Sequence, residues 1–107
     1  MPKKPSRSHI RAMIEEATVD AYNHSEQITG WVVALEHALD LPFDTMVLGV
    51  VVTVVGVDVS RDESLLAVCR RGRTKQRVPL ADLPLPTPAP RGAEWIEAYR
   101  AWADGSW

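Results

Sequence analysis

Apolar residues recur at spacings of three and four between Ser6 and Thr18, where Ile10, Met13, Ile14 and Ala17 share one face. That period marks an amphipathic helix, with Ser6 or Ser8 placed to cap it. After a break at Tyr22-Asn23-His24 the period returns from about Ser25. Ile28, Trp31, Val32, Leu35 and Leu39 then line the inner face of a second helix that Pro42 ends. From Phe43 to Leu83 the pattern changes to β-branched runs punctuated by Gly49, Gly56, Arg61-Asp62-Glu63 and Arg71-Gly72-Arg73. It predicts strands near 44–49, 50–58, 65–71 and 74–80, closed by a short turn at Ala81-Asp82-Leu83. So few short antiparallel strands cannot bury two faces as a flat sheet. The expected class is α+β, with a strongly curled SH3-like sheet or barrel behind the two N-terminal helices.

The run Leu83-Pro84-Leu85-Pro86-Thr87-Pro88-Ala89-Pro90 alternates proline with other residues, which forces an extended strap rising about 3.1 Å per residue. Such straps serve as connectors or as ligands for aromatic grooves, and here a helix follows that has to be carried across the surface. That helix, about Ala93 to Asp104, presents Trp95, Tyr99 and Trp102 at i, i+4 and i+7 with Ile96 beside them, the spacing of a core stripe.

At 107 residues, 46% of them hydrophobic, the chain has room for a single domain with a modest core, preceded by a flexible N-terminus over residues 1–6. Fourteen acidic and 12 basic residues leave a net charge of −2, which selects no polyanionic partner by itself. Cys69 is the only cysteine, so no internal disulfide or cysteine-based zinc cluster can form, and a reducing cytoplasm is the expected compartment. Met1-Pro2-Lys3-Lys4-Pro5 runs into polar residues without the apolar stretch of a secretory signal. The most apolar segment, Thr45 to Val57, has 13 uncharged residues. A spanning helix needs roughly 18. Its valines and glycines read as buried strand, and no membrane partner is expected.

No nucleophile elbow, zinc-protease helix, phosphate-binding glycine loop or dinucleotide fingerprint is present, so an enzyme is not expected. Cys69 falls in a predicted strand and reads as a core residue. His9, His24 and His37 lack zinc-like spacing. The carboxylates carry more information. Glu36 and Asp40, four apart near the end of the second helix, project from one face beside its unpaired carbonyls, and Asp44 follows across Leu41-Pro42-Phe43. Calcium takes six to eight oxygens from carboxylates, carbonyls and water, so these three are candidate metal ligands. Read alone, the same residues are a solvated acidic helix end. A second acidic place is the turn Asp58…Asp62-Glu63, where Asp62 and Glu63 could hold calcium weakly. Opposite charge gathers in Arg70, Arg71, Arg73, Lys75 and Arg77 at a hairpin tip. This is either a solvated hairpin paired with Asp58, Asp62 or Glu63, or a polyanion contact. No aromatic interleaves it, so base stacking is unsupported and a nucleic-acid partner is not favoured.

The ordered residues Asp20-Ala21-Tyr22, Glu26-Gln27, Gly30-Trp31, Leu35-Glu36, Leu39, Pro42 and Phe43 resemble the signature of the small bacterial calcium-binding proteins of the CcbP type. Val78-Pro79-Leu80-Ala81-Asp82-Leu83 looks like that family's closing strand, and Trp95, Tyr99, Trp102 and Gly105 like its last helix. The likeness runs from about Ile14 to Gly105. It implies non-enzymatic calcium binding, as a buffer or a sensor, with Ca2+ as the bound ion. The chain departs from the pattern at His37, where the family has an acidic residue after the glutamate, and at Asn23, His24 and Ser25, where acidic residues are frequent. Each departure removes a hard oxygen ligand and implies weakened or lost affinity. The alternative reading is a small-barrel module for a protein or nucleic-acid partner, using the hairpin 70–77.

Overall fold

The hydroxyl of Ser6 accepts the backbone N–H of His9 and starts helix α1, Arg7–Ala17, in the computed structural model, which describes residues 5–107. The expectation of a flexible N-terminus falls mostly on residues 1–4, outside the described residues. Helix α2, His24–Ala38, begins at a reciprocal cap. Asn23 accepts the N–H of Glu26 at 2.9 Å, and the Glu26 carboxylate reaches back to the N–H of Tyr22 at 3.2 Å. The helix stops before the proline expected to end it. Leu39 turns to extended backbone, and the N–H of Asp40 bonds the Arg91 carbonyl at 2.8 Å instead of the carbonyl four residues back.

Strands β1, Phe43–Val47, β2, Val50–Val59, β3, Leu65–Arg71, and β4, Thr74–Pro79, form an antiparallel meander in the order β1-β2-β3-β4. The register shifts between Val54 and Gly56, leaving one extra residue on β2, a bulge that bends this long strand. The pairing is that of an open sheet with β1 and β4 as edges; the SH3-like closure expected from strand length is not seen in the hydrogen bonding. Both edges are protected. β4 carries Lys75, Arg77 and Pro79, and β1 is crossed by the proline strap, whose Pro84 carbonyl accepts the Thr45 hydroxyl. A 3-10 turn, Leu80–Asp82, precedes the strap, and helix α3, Ala93–Asp104, follows it. The Arg100 guanidinium secures α3 to this turn through the carbonyls of Leu80 and Leu83.

The core lies between the helices and the inner sheet face. Ile14, Ile28, Trp31, Leu35, Ile96 and Tyr99 meet Val54, Leu65, Ala67 and Cys69, all buried. Burial pushes the Cys69 thiol up from its ordinary value, in keeping with a packing role. Trp31 is fully enclosed, with its ring 5.7 Å from that of Tyr99, 5.8 Å from Trp102 and 6.4 Å from Trp95. Its Nε1 is buried without a hydrogen-bond partner among the described residues, a penalty that the aromatic packing has to outweigh. No described helix is long and apolar enough to cross a membrane.

Gly30 lets α1 and α2 cross closely. A Cβ there would lie 2.0 Å from the Ala17 carbonyl oxygen, a backbone atom that cannot swing aside. Glycine to alanine within a helix ordinarily gains about 1 kcal/mol. Gly30→Ala is expected to reverse that sign and destabilise by about 1–3 kcal/mol through overpacking. Urea unfolding measures this, and a stabilised variant would show that the two helices separate freely.

Candidate metal centre

The turn between β2 and β3 packs against the first turn of α2 and gathers oxygen. Asp62 Oδ1 accepts the hydroxyls of Ser60 and of Ser64, the latter at 2.9 Å, and the two serine oxygens lie 2.8 Å apart. Glu63 sits at a φ of 58°, a left-handed conformation uncommon for its residue type, and this aims its carbonyl and carboxylate at α2. The carbonyl lies 2.9 Å from His24 Nε2. A carbonyl only accepts, so that nitrogen carries the proton. The Glu63 carboxylate accepts the Ser25 hydroxyl. Two carboxylates, three hydroxyls and a carbonyl therefore share one small surface region.

Helix α3 holds this region in place. The Tyr99 hydroxyl accepts the N–H of Leu65 at 2.9 Å, fixing the start of β3 immediately after the turn. Trp102 stacks on His24 with ring centroids 5.6 Å apart and planes within 19°. Burial raises the Tyr99 phenol above its ordinary value, and the neighbouring Asp62 charge adds to the effect, so the phenol stays protonated. Hydrogen bonds from Ser60 and Ser64 hold the Asp62 carboxyl below the ordinary carboxylate value. Asp58, on β2, is likewise held below the ordinary carboxylate value, first by its hydrogen bond from Arg77, whose Nε lies 2.8 Å from Asp58 Oδ2. Both partners of that pair are about half exposed, so it positions the hairpin more than it stabilises the fold.

The sequence-predicted ligands fall in two groups. Asp62 and Glu63 lie in the oxygen-rich turn. Glu36, Asp40 and Asp44 are spread over a helix, a loop and a strand. The exit of α2 after Ala38 removes the one-turn stacking of Asp40 on Glu36, and Asp44 accepts the Thr53 hydroxyl at 2.7 Å on the sheet. Among the described residues no three His, Cys, Asp or Glu side chains are close enough together to enclose a metal ion. His37 lines a groove of about 620 Å3 between α1 and α2, shared with Glu16, Asp20 and Glu26. Of the cationic hairpin, Arg77 pairs with Asp58 as the solvated-hairpin reading expects, while Arg70, Arg71, Arg73 and Lys75 are exposed.

Sequence reasoning missed Ser60, Ser64, His24 and Ser25 as parts of this region. The detectable signal was the serine on each side of Asp62-Glu63, residues whose hydroxyls bond locally in turns. The contact between that turn and residues 24 and 25 spans 38 and 39 positions and leaves no local trace.

A family model for calcium binding, of the CcbP type, matches residues 11–103, and the chain belongs to that family. The crystal structure of CcbP from Anabaena is similar over 96% of this chain and 95% of that one, with a TM-score of 0.72 at 19% sequence identity. The likeness establishes a common fold. No curated protein matches the chain.

The depressed carboxyls set an acid limb for stability. An aspartate with a lowered folded value contributes stability that is fully present above its unfolded value near 3.8 and is lost as pH falls through the folded value. Asp62→Asn is expected to flatten this limb, and carbon-13 titration of Asp62 should give a midpoint below 3.8. A midpoint at or above that value would show that Ser60 and Ser64 do not hold the Asp62 carboxyl down.

Proposed function

We propose that this chain is a non-enzymatic calcium-binding protein of weak affinity, with the β2–β3 turn and the start of α2 as its binding region. Membership of a calcium-binding family supports the ion. The oxygen-only character of the turn supports the place, since calcium prefers hard oxygen donors. Asp62, Glu63 and the Glu63 carbonyl are the groups that would hold the ion, with Ser60, Ser64 and Ser25 orienting them. Bound there, calcium would neutralise two carboxylates and take its remaining oxygens from water.

Two carboxylates are few. Sites with low ligand charge bind calcium with dissociation constants of about 10−4 to 10−3 M. His24 and Ser25 stand where family resemblance leads one to expect acidic side chains, and both border Glu63. Their presence accounts for a weak site through missing charge. Glu36, Asp40 and Asp44 are a second, more dispersed place where hydrated calcium would be attracted.

A buffer role suits this region better than a sensor role. A sensor needs an element with two arrangements that the ion can bias. The turn instead joins two paired strands and is tied to α3 through Tyr99 and Trp102.

Calorimetric titration tests the reading. Ser25→Asp places a third carboxylate beside Glu63 and is expected to tighten calcium binding by about tenfold, equivalent to roughly 1.4 kcal/mol. Asp62→Asn combined with Glu63→Gln is expected to abolish it. If Asp40→Asn and Asp44→Asn abolish binding instead, the ion sits at the end of α2.

A further inference from the structure

We propose that the end of the sheet opposite the calcium region docks on an anionic lipid surface, with Leu48 as the apolar anchor and Arg70, Arg71, Arg73 and Lys75 as headgroup contacts. An antiparallel meander puts its first and third turns at one end, so the β1–β2 and β3–β4 tips are neighbours. Residues of both tips line one cavity of about 670 Å3, including Val47, Val50 and Val52 from one and Arg71 from the other. The first tip is wholly uncharged from Thr45 to Val57. The second has no acidic residue from Cys69 to Leu80. Apolar and cationic side chains therefore share this end of the sheet, where Asp44, opposite Thr53, has its carboxylate engaged by the Thr53 hydroxyl at 2.7 Å.

Leu48 is the observation that carries the inference. Val47 pairs with Val50, so Leu48-Gly49 is a two-residue hairpin loop with φ of 51° and 77°. Positive φ at both positions is the pattern of a type I′ turn, which favours asparagine or aspartate followed by glycine. Leucine there is unfavourable for the backbone. It is also 97% exposed, flanked by Met46 at 54% and Val51 at 56%. A residue that disagrees with both its backbone and its solvent points to a role outside the fold.

Charge complementarity selects the occupant. A protruding aliphatic side chain offers nothing to stack on bases, which argues against a nucleic acid. At a bilayer of anionic lipid, a convex apolar tip enters the headgroup boundary while adjacent arginines and lysine meet the phosphates, and neither contribution suffices alone. The lack of a spanning segment, which suggested no membrane partner, does not bear on this mode of contact.

The test is co-sedimentation of the full chain with phosphatidylcholine vesicles, with and without added phosphatidylglycerol, at physiological salt. Wild type is expected to bind the mixed vesicles and not the neutral ones. Leu48→Asn suits the turn better, so it should keep or raise the melting temperature while weakening vesicle binding about tenfold. Replacing Arg71 and Arg73 with serine should also weaken it. Failure of wild type to bind anionic vesicles overturns the proposal. So does binding that Leu48→Asn leaves unchanged, which would reduce the contact to nonspecific polyanion attraction.

Discussion

The packing of Trp31 against the aromatic face of α3 is the contact on which the remaining architecture depends. One fully enclosed indole touches Trp95, Tyr99 and Trp102, and so fixes both the rotation and the height of α3 over α2. Two of those rings then act outward. Tyr99 holds the first residue of β3 by its hydroxyl, and Trp102 stacks on His24, which in turn bonds the Glu63 carbonyl. The oxygen-rich turn is thus an extension of the aromatic core.

Periodicity was enough to read the helices and strands, because each buries a continuous apolar face. Ile10, Met13, Ile14 and Ala17 announce α1, and the aromatic stripe announces α3. The end of α2 was harder. Its apolar pattern continues through Leu39, which is buried although it lies outside the helix, so the face persisted after the helical backbone had stopped. The tertiary bond from Asp40 to Arg91 decides the exit, and a contact across the strap has no signature in the local sequence. The same limit applies to the candidate site. Asp62 and Glu63 stood out as adjacent carboxylates, whereas their partners His24 and Ser25 come from the far side of β1 and β2. The curl of the sheet is a separate matter, since the order β1-β2-β3-β4 fixes which strands are neighbours and leaves two protected edges without fixing curvature.

Charge is segregated along the sheet in a way its small net value conceals. Asp58, Asp62 and Glu63 occupy one end with the bonds that hold them, while four exposed cations and an unusual apolar turn occupy the other. Asp58 and Arg77 join the two ends as a surface pair across the strands. Such an arrangement would separate the proposed ion-binding surface from the proposed docking surface on one sheet. Occupancy of the first need not disturb the second.

In the proposed mode of binding, calcium meets this chain at the β2–β3 turn and the start of α2. Titration of calcium into nitrogen-15-labelled protein, followed by amide shifts, tests it residue by residue. Shifts are expected to concentrate at residues 60–65 and 23–26, with the hairpin tips at 47–50 and 71–74 unmoved. Shifts centred on residues 36–44, or a spectrum unchanged at millimolar calcium, would contradict it.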